Sequence, residues 1–107
     1  MSTAPKSAVL QLDKMVSYQE GSVVSRQITK EEAGNVTLFA FDAGQELSEH
    51  TAPYDALLHV LEGRAEIRIS GRPYQLAASQ AIVTPAGEPH AVKALERFKM
   101  LLTMIHA

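Results

Sequence analysis

The residues able to do chemistry are few: four histidines, at 50, 59, 90 and 106, and not one cysteine. His50 closes the run GQELSEH and His90 closes PAGEPH, so both sit where a strand meets a turn. Imidazole titrates near neutrality and is the commonest protein ligand for transition metals. Two imidazoles brought together from distant strands would therefore hold a metal, anchor a small molecule, or exchange a proton with a substrate. The absence of cysteine excludes disulfides, thiolate metal sites and thiol nucleophiles together, leaving His, carboxylate or water as metal donors.

The other candidates are weaker on spacing. If Ala56, Leu58 and Val60 face the interior, strand alternation sends His59 to the outer face as a packed or interface histidine. His106 lies one residue from the C-terminus and reads as a solvated tail group. Glu49 and Asp55 adjoin the positions of interest, but neighbours on a strand point to opposite faces unless a bulge intervenes. Tyr54 follows Pro53 in a turn, where a phenol suits an orienting hydrogen bond, or the partner of an imidazole base in metal-free acid–base chemistry, better than metal ligation.

The elements that would position these groups are strands. Gly21, Gly34, Gly44, Pro53, Gly63, Gly71-Arg72-Pro73, Pro85, Gly87 and Pro89 divide the chain into strand-length segments, the mark of a sandwich or barrel. Ala65, Ile67 and Ile69 alternate with Glu66 and Arg68, as a half-buried strand requires. Phe98, Met100, Leu102 and Met104 share one face of the last strand, opposite Arg97, Lys99 and Thr103, and form core or cavity wall. Val36 to Phe41 and Ala81 to Thr84 are two more strands. Lys30 to Asn35 is read as a hairpin loop in which Gly34 or Asn35 takes positive φ. Glu62, Arg64, Glu66 and Arg68 are read as a solvated, cross-strand ion-paired face. Helical periodicity is absent apart from a short turn within Ser7 to Tyr18. The expectation is an all-β domain of about eight to eleven strands.

The totals agree. A chain of 107 residues suits one domain, 46% apolar and 21% charged residues are those of a globular protein, and a net charge of -2 without a Lys/Arg block argues against nucleic acid. The N-terminus has no apolar signal region, and the apolar run MLLTMI at 100–105 is too short to span a bilayer, so no membrane partner and a cytoplasmic location are expected.

The histidine spacing resembles that of a small single-domain cupin of the type-2 conserved β-barrel family. The two cupin motifs are G-x5-H-x-H-x3,4-E-x6-G and G-x5-P-x-G-x2-H-x3-N. Gly44, His50 and Gly63 match the first and Pro85, Gly87 and His90 the second, with VLEG at 60–63 a frequent family phrase. The resemblance implies a single cupin-type β-barrel (a double-stranded β-helix, or jelly roll) over residues 1–107, with an N-terminal extension at 1–20 and a core barrel at 36–105. The departures bear on function. The family's second histidine falls on Ala52, its glutamate on Ala56, its second-motif glycine on Ser79 and its asparagine on Ala94. Of the usual metal ligands only His50 and His90 remain, short of the three or four protein donors of most catalytic sites.

Two functions follow. The first is a barrel that binds a small molecule between His50 and His90, in a pocket that Ala52 and Ala56 make roomier and Tyr54, Phe98 and Met100 help to line. The second, implied by the resemblance, is a metal-dependent oxygenase or isomerase acting on a small organic substrate. Its divalent Fe, Mn, Ni, Zn or Cu would sit on His50 and His90. No cofactor is fixed by the residues themselves. A homodimer is expected, with Ser22 to Thr29 adding a strand to a partner's sheet, and a monomeric mass by light scattering would count against it.

Overall fold

The computed structural model describes residues 3–106. Nine strands follow a single 3-10 turn at Leu12–Lys14: β1 Val23–Glu31, β2 Gly34–Phe41, β3 Glu46–His50, β4 Ala56–Glu62, β5 Arg64–Ile69, β6 Arg72–Ala77, β7 Ala81–Thr84, β8 His90–Ala94 and β9 Phe98–Ile105. They form an antiparallel five-stranded sheet in the order β1-β2-β9-β4-β7, facing a four-stranded sheet in the order β3-β8-β5-β6. No helix of the described residues is long and apolar enough to cross a membrane.

Alternation decides what lies between the sheets. In β5 the apolar set Ala65, Ile67 and Ile69 is buried. In β9 and β4 the inward sets are Phe98, Met100 and Leu102, and Ala56, Leu58 and Val60, with Met100 opposite Val60 and Leu102 opposite Leu58. Phe41 and Phe98 are fully buried and stack with ring centroids 4.5 Å apart, closing the interior at one end of β2 and β9. Burial of each such side chain stabilises by a few kcal/mol, which is why a period of two in sequence becomes a face in structure.

The outer face of the five-stranded sheet would be left greasy by Leu38, Ala40, Leu61 and Leu101. The N-terminal segment covers it. Val16 is buried against Leu38 and Ala40, with Leu12, Met15 and Tyr18 beside them. Lys99, 9% exposed, holds this segment down by donating to the Asp13 carbonyl and by lying 5.0 Å from the centre of the Tyr18 ring. The Tyr18 hydroxyl donates to Glu62 at 2.7 Å. Burial, and next the Glu62 carboxylate, push this phenol well above its ordinary pKa.

Two expectations need correction. Neither Gly34 nor Asn35 adopts positive φ; Gly34 is there because a Cβ would come 2.2 Å from the Met104 carbonyl oxygen across the β2–β9 pair. The charged group is not one cross-strand ion-paired face. Glu66 pairs with Arg68 along β5, Arg64 donates to Gln75 on β6, and Glu62 belongs to the Tyr18 cluster of the other sheet. Ser22 to Thr29 falls largely in β1, which pairs with β2 and stands at the edge of its sheet.

Ser79 carries a strain that its sequence position explains. It stands where the resemblance places a glycine, and its φ is 73°, in the left-handed region that costs a side chain about 1 kcal/mol or more. Ser79→Gly is expected to stabilise the protein by roughly 0.5–1 kcal/mol in urea unfolding. A neutral or destabilising result would show that the turn between β6 and β7 is not strained.

Candidate functional site

The site begins with a register fault. Leu47 pairs with Val92 and His50 with His90, three steps along β3 against two along β8, so β3 contains a bulge. Leu47 points inward, and unbroken alternation would turn His50 outward. The extra residue resets the phase and brings His50 to the same interior as His90. Bulges commonly re-aim a side chain next to a functional site in this way.

The two rings lie 4.3 Å apart at 60°. His50 Nδ1 is 2.8 Å from the Ser48 carbonyl, and His90 Nδ1 is 3.3 Å from the Glu88 carbonyl. A carbonyl oxygen can only accept, so in each of these bonds Nδ1 is the donor and carries the proton. The neutral ring then has a bare Nε2, and neither Nε2 has a hydrogen-bond partner among the described residues. Burial holds the His90 pKa below the ordinary imidazole value; the Glu88 carbonyl opposes this and the neighbouring His50 adds to it. Burial thus favours the neutral form of His90, in which the Nε2 lone pair is open.

Leu47, Leu58, Thr84, Val92, Met100 and Leu102 complete the walls around the pair, enclosing a cavity of about 30 Å³. That is close to the volume one water molecule takes up in the liquid. Leu58, Met100 and Leu102 take up the interior around it, and neither Ala52 nor Ala56 lines this cavity. Of the residues expected to line the pocket, His50, His90 and Met100 do so.

The others lie elsewhere. Phe98 is deeper in the core against Phe41. Ala56 is buried opposite Thr84 at the start of β4, and Ala52 lies in the β3–β4 loop, where its carbonyl accepts the Gly87 N–H at 2.8 Å. Tyr54 stacks on His106 with ring centroids 4.4 Å apart and lines a separate depression with Pro53, Asp55, Ala86 and Ile105. His106 is thus no free tail: its backbone N–H donates to the Ala33 carbonyl, and its ring lies 3.5 Å from the Asn35 amide. His59 lies on a strand face that does not line the cavity, as alternation requires.

Thr84 is the polar group that sequence reading missed. It is 1% exposed, and its hydroxyl donates to the Ala56 carbonyl at 3.4 Å. The signal was available only as a register relation, since Thr84 faces inward because it pairs with inward Ala56.

The donor set does not fit a resident metal ion. No three His, Asp or Glu side chains among the described residues are grouped to share one. Asp55 accepts the Ala86 N–H at 2.8 Å and so ties two loops together, while Glu49 lines an outer groove with Glu46, Glu66 and Lys93. Two imidazoles are fewer than the protein donors of ordinary structural or catalytic sites.

Against known proteins, the family model described as "Cupin domain" matches residues 37–106. A conserved protein of unknown function from Streptococcus pyogenes is 37% identical, with all of this chain and 96% of that chain covered and a TM-score of 0.91. A cupin superfamily protein from Desulfitobacterium hafniense is 26% identical, covering 99% of this chain and 97% of that one, also at 0.91. A cupin 2 conserved barrel domain protein from Leptotrichia buccalis is 37% identical over 90% of this chain but only 47% of its own, at 0.87. Comparison with curated proteins gave no match.

Proposed function

The chain belongs to the cupin domain family, and from that membership we propose that its barrel binds a small molecule at His50 and His90 without a resident metal centre. The observation that carries this is the pair of Nδ1 contacts to backbone carbonyls, which leaves two Nε2 lone pairs beside one cavity. A binding site of this kind is mostly apolar with a few convergent polar anchors. Its size limits what enters. About 30 Å³ takes the polar head of a ligand, and the remainder lies outside at the mouth.

The alternative, a metal-dependent oxygenase or isomerase, lacks support from the donor set. The positions of the family's glutamate and second histidine hold alanines, and among the described residues no carboxylate is grouped with His50 and His90 in their place.

The test is thermal unfolding of chelator-treated protein against a panel of small amines, alcohols, amides and carboxylates. A ligand at a hundredfold excess over its Kd stabilises by about 2.7 kcal/mol, a rise on the order of 10 °C for a domain of this size. The rise is expected to vanish in His50→Ala and in His90→Ala. An equal rise in both variants, or none with any compound, would contradict the proposal.

A further inference from the structure

We infer that the head group this pocket takes is a primary ammonium. The inference rests on the reading of His50 and His90 as a metal-free binding pair and goes further by counting donors and acceptors around the cavity. Three polar side chains line it: His50, His90 and Thr84. Each imidazole directs Nδ1–H at a carbonyl of its own strand or the turn before it, so Nε2 remains as an acceptor. Thr84 has one hydroxyl hydrogen, directed at the Ala56 carbonyl, so its oxygen lone pairs remain as well. The other walls are Leu47, Leu58, Val92, Met100 and Leu102, which supply no donor.

The cavity is therefore lined with acceptors and has no side-chain donor to offer. A carboxylate or phosphate would meet lone pairs, and its charge would be buried unpaired. A hydroxyl has one hydrogen to give, and a carboxamide has two plus a carbonyl that would need a donor. An ammonium has three donors and no acceptor, which matches three acceptors. The volume, about 30 Å³, is that of one water molecule and suits an –NH₃⁺ group, with its carbon chain at the mouth. His50 is exposed, so the head group keeps contact with water on one side, which limits the cost of desolvating a cation. Hydrogen bonds from a charged donor are about twice as strong as neutral ones, which favours the ammonium over a neutral isostere.

The experiment titrates ethylammonium chloride, sodium acetate and ethanol separately into chelator-treated, histidine-¹⁵N-labelled full-length protein at pH 7.5, following the imidazole nitrogens. Ethylammonium is expected to move Nε2 of both His50 and His90, and to bind at least tenfold more tightly than ethanol or acetate. Thr84→Val is expected to weaken ethylammonium about tenfold, the loss of one charge-assisted hydrogen bond. Thr84→Ser, which keeps the hydroxyl, is expected to bind like the parent and controls for folding. If ethanol or acetate binds as tightly as ethylammonium, or Thr84→Val binds it unchanged, the ammonium assignment is overturned and the pocket stands. If no probe moves either imidazole, or Zn²⁺ taken up at one equivalent excludes ethylammonium, the underlying pocket reading fails with it.

Discussion

Gly63→Ala is expected to destabilise the protein by about 4 kcal/mol or more, enough to remove most of the stability of a domain this small. Gly63 is the whole connection between β4 in one sheet and β5 in the other. Its φ is +80°, and a Cβ there would lie 2.0 Å from the Arg97 carbonyl oxygen and 2.7 Å from Phe98 Cα. Both neighbours are backbone or buried core, so neither can step aside. Gly87 separates the two causes. Its φ is +77°, yet a Cβ there would meet no atom within 4 Å, so Gly87→Ala should cost only about 1 kcal/mol, the conformational part alone. Urea unfolding of both variants is the check. A Gly63→Ala protein within about 1 kcal/mol of the parent would show that the sheets can separate at this corner.

Phe98→Ala is expected to cost about 3–5 kcal/mol, the usual range for an aromatic removed from a close-packed core. Phe98 is fully buried, stacked on Phe41, and packed directly under the Gly63 corner. The void would open on the same face of β9 as Met100, a wall of the histidine cavity. Phe98→Leu, which keeps much of the volume, should recover more than half of the loss. Equilibrium unfolding decides it, and a loss below 1 kcal/mol for the alanine variant would place Phe98 outside the core.

Much of the barrel was legible because it follows from a period of two. Ala65, Ile67 and Ile69, and Phe98, Met100 and Leu102, each declared a buried face from spacing alone. The meeting of His50 and His90 was legible from motif spacing, through the resemblance. The mechanism of that meeting was not. A bulge in β3 is a relation between β3 and β8, and no local property of SEH announces it. The size of the cavity was hidden for a related reason. Alanines at 52 and 56 suggested room, but how far Leu58, Met100 and Leu102 fill an interior depends on packing between sheets. The Lys99 to Asp13 bond joins residues 86 apart, so Lys99 read as an outer-face charge when it is a buried clamp on the N-terminal segment. Ser79 shows the converse: a departure from a family glycine kept the backbone conformation and replaced the residue.

The binding reading depends most on which nitrogen of each imidazole carries the proton. A long-range ¹H–¹⁵N correlation spectrum of chelator-treated, histidine-labelled protein at pH 7.5 measures this directly. We expect His50 and His90 both as the Nδ1–H tautomer with unprotonated Nε2, held by the Ser48 and Glu88 carbonyls. The Nε2–H tautomer or a fully protonated ring at either position would remove the paired acceptors on which the proposed function stands.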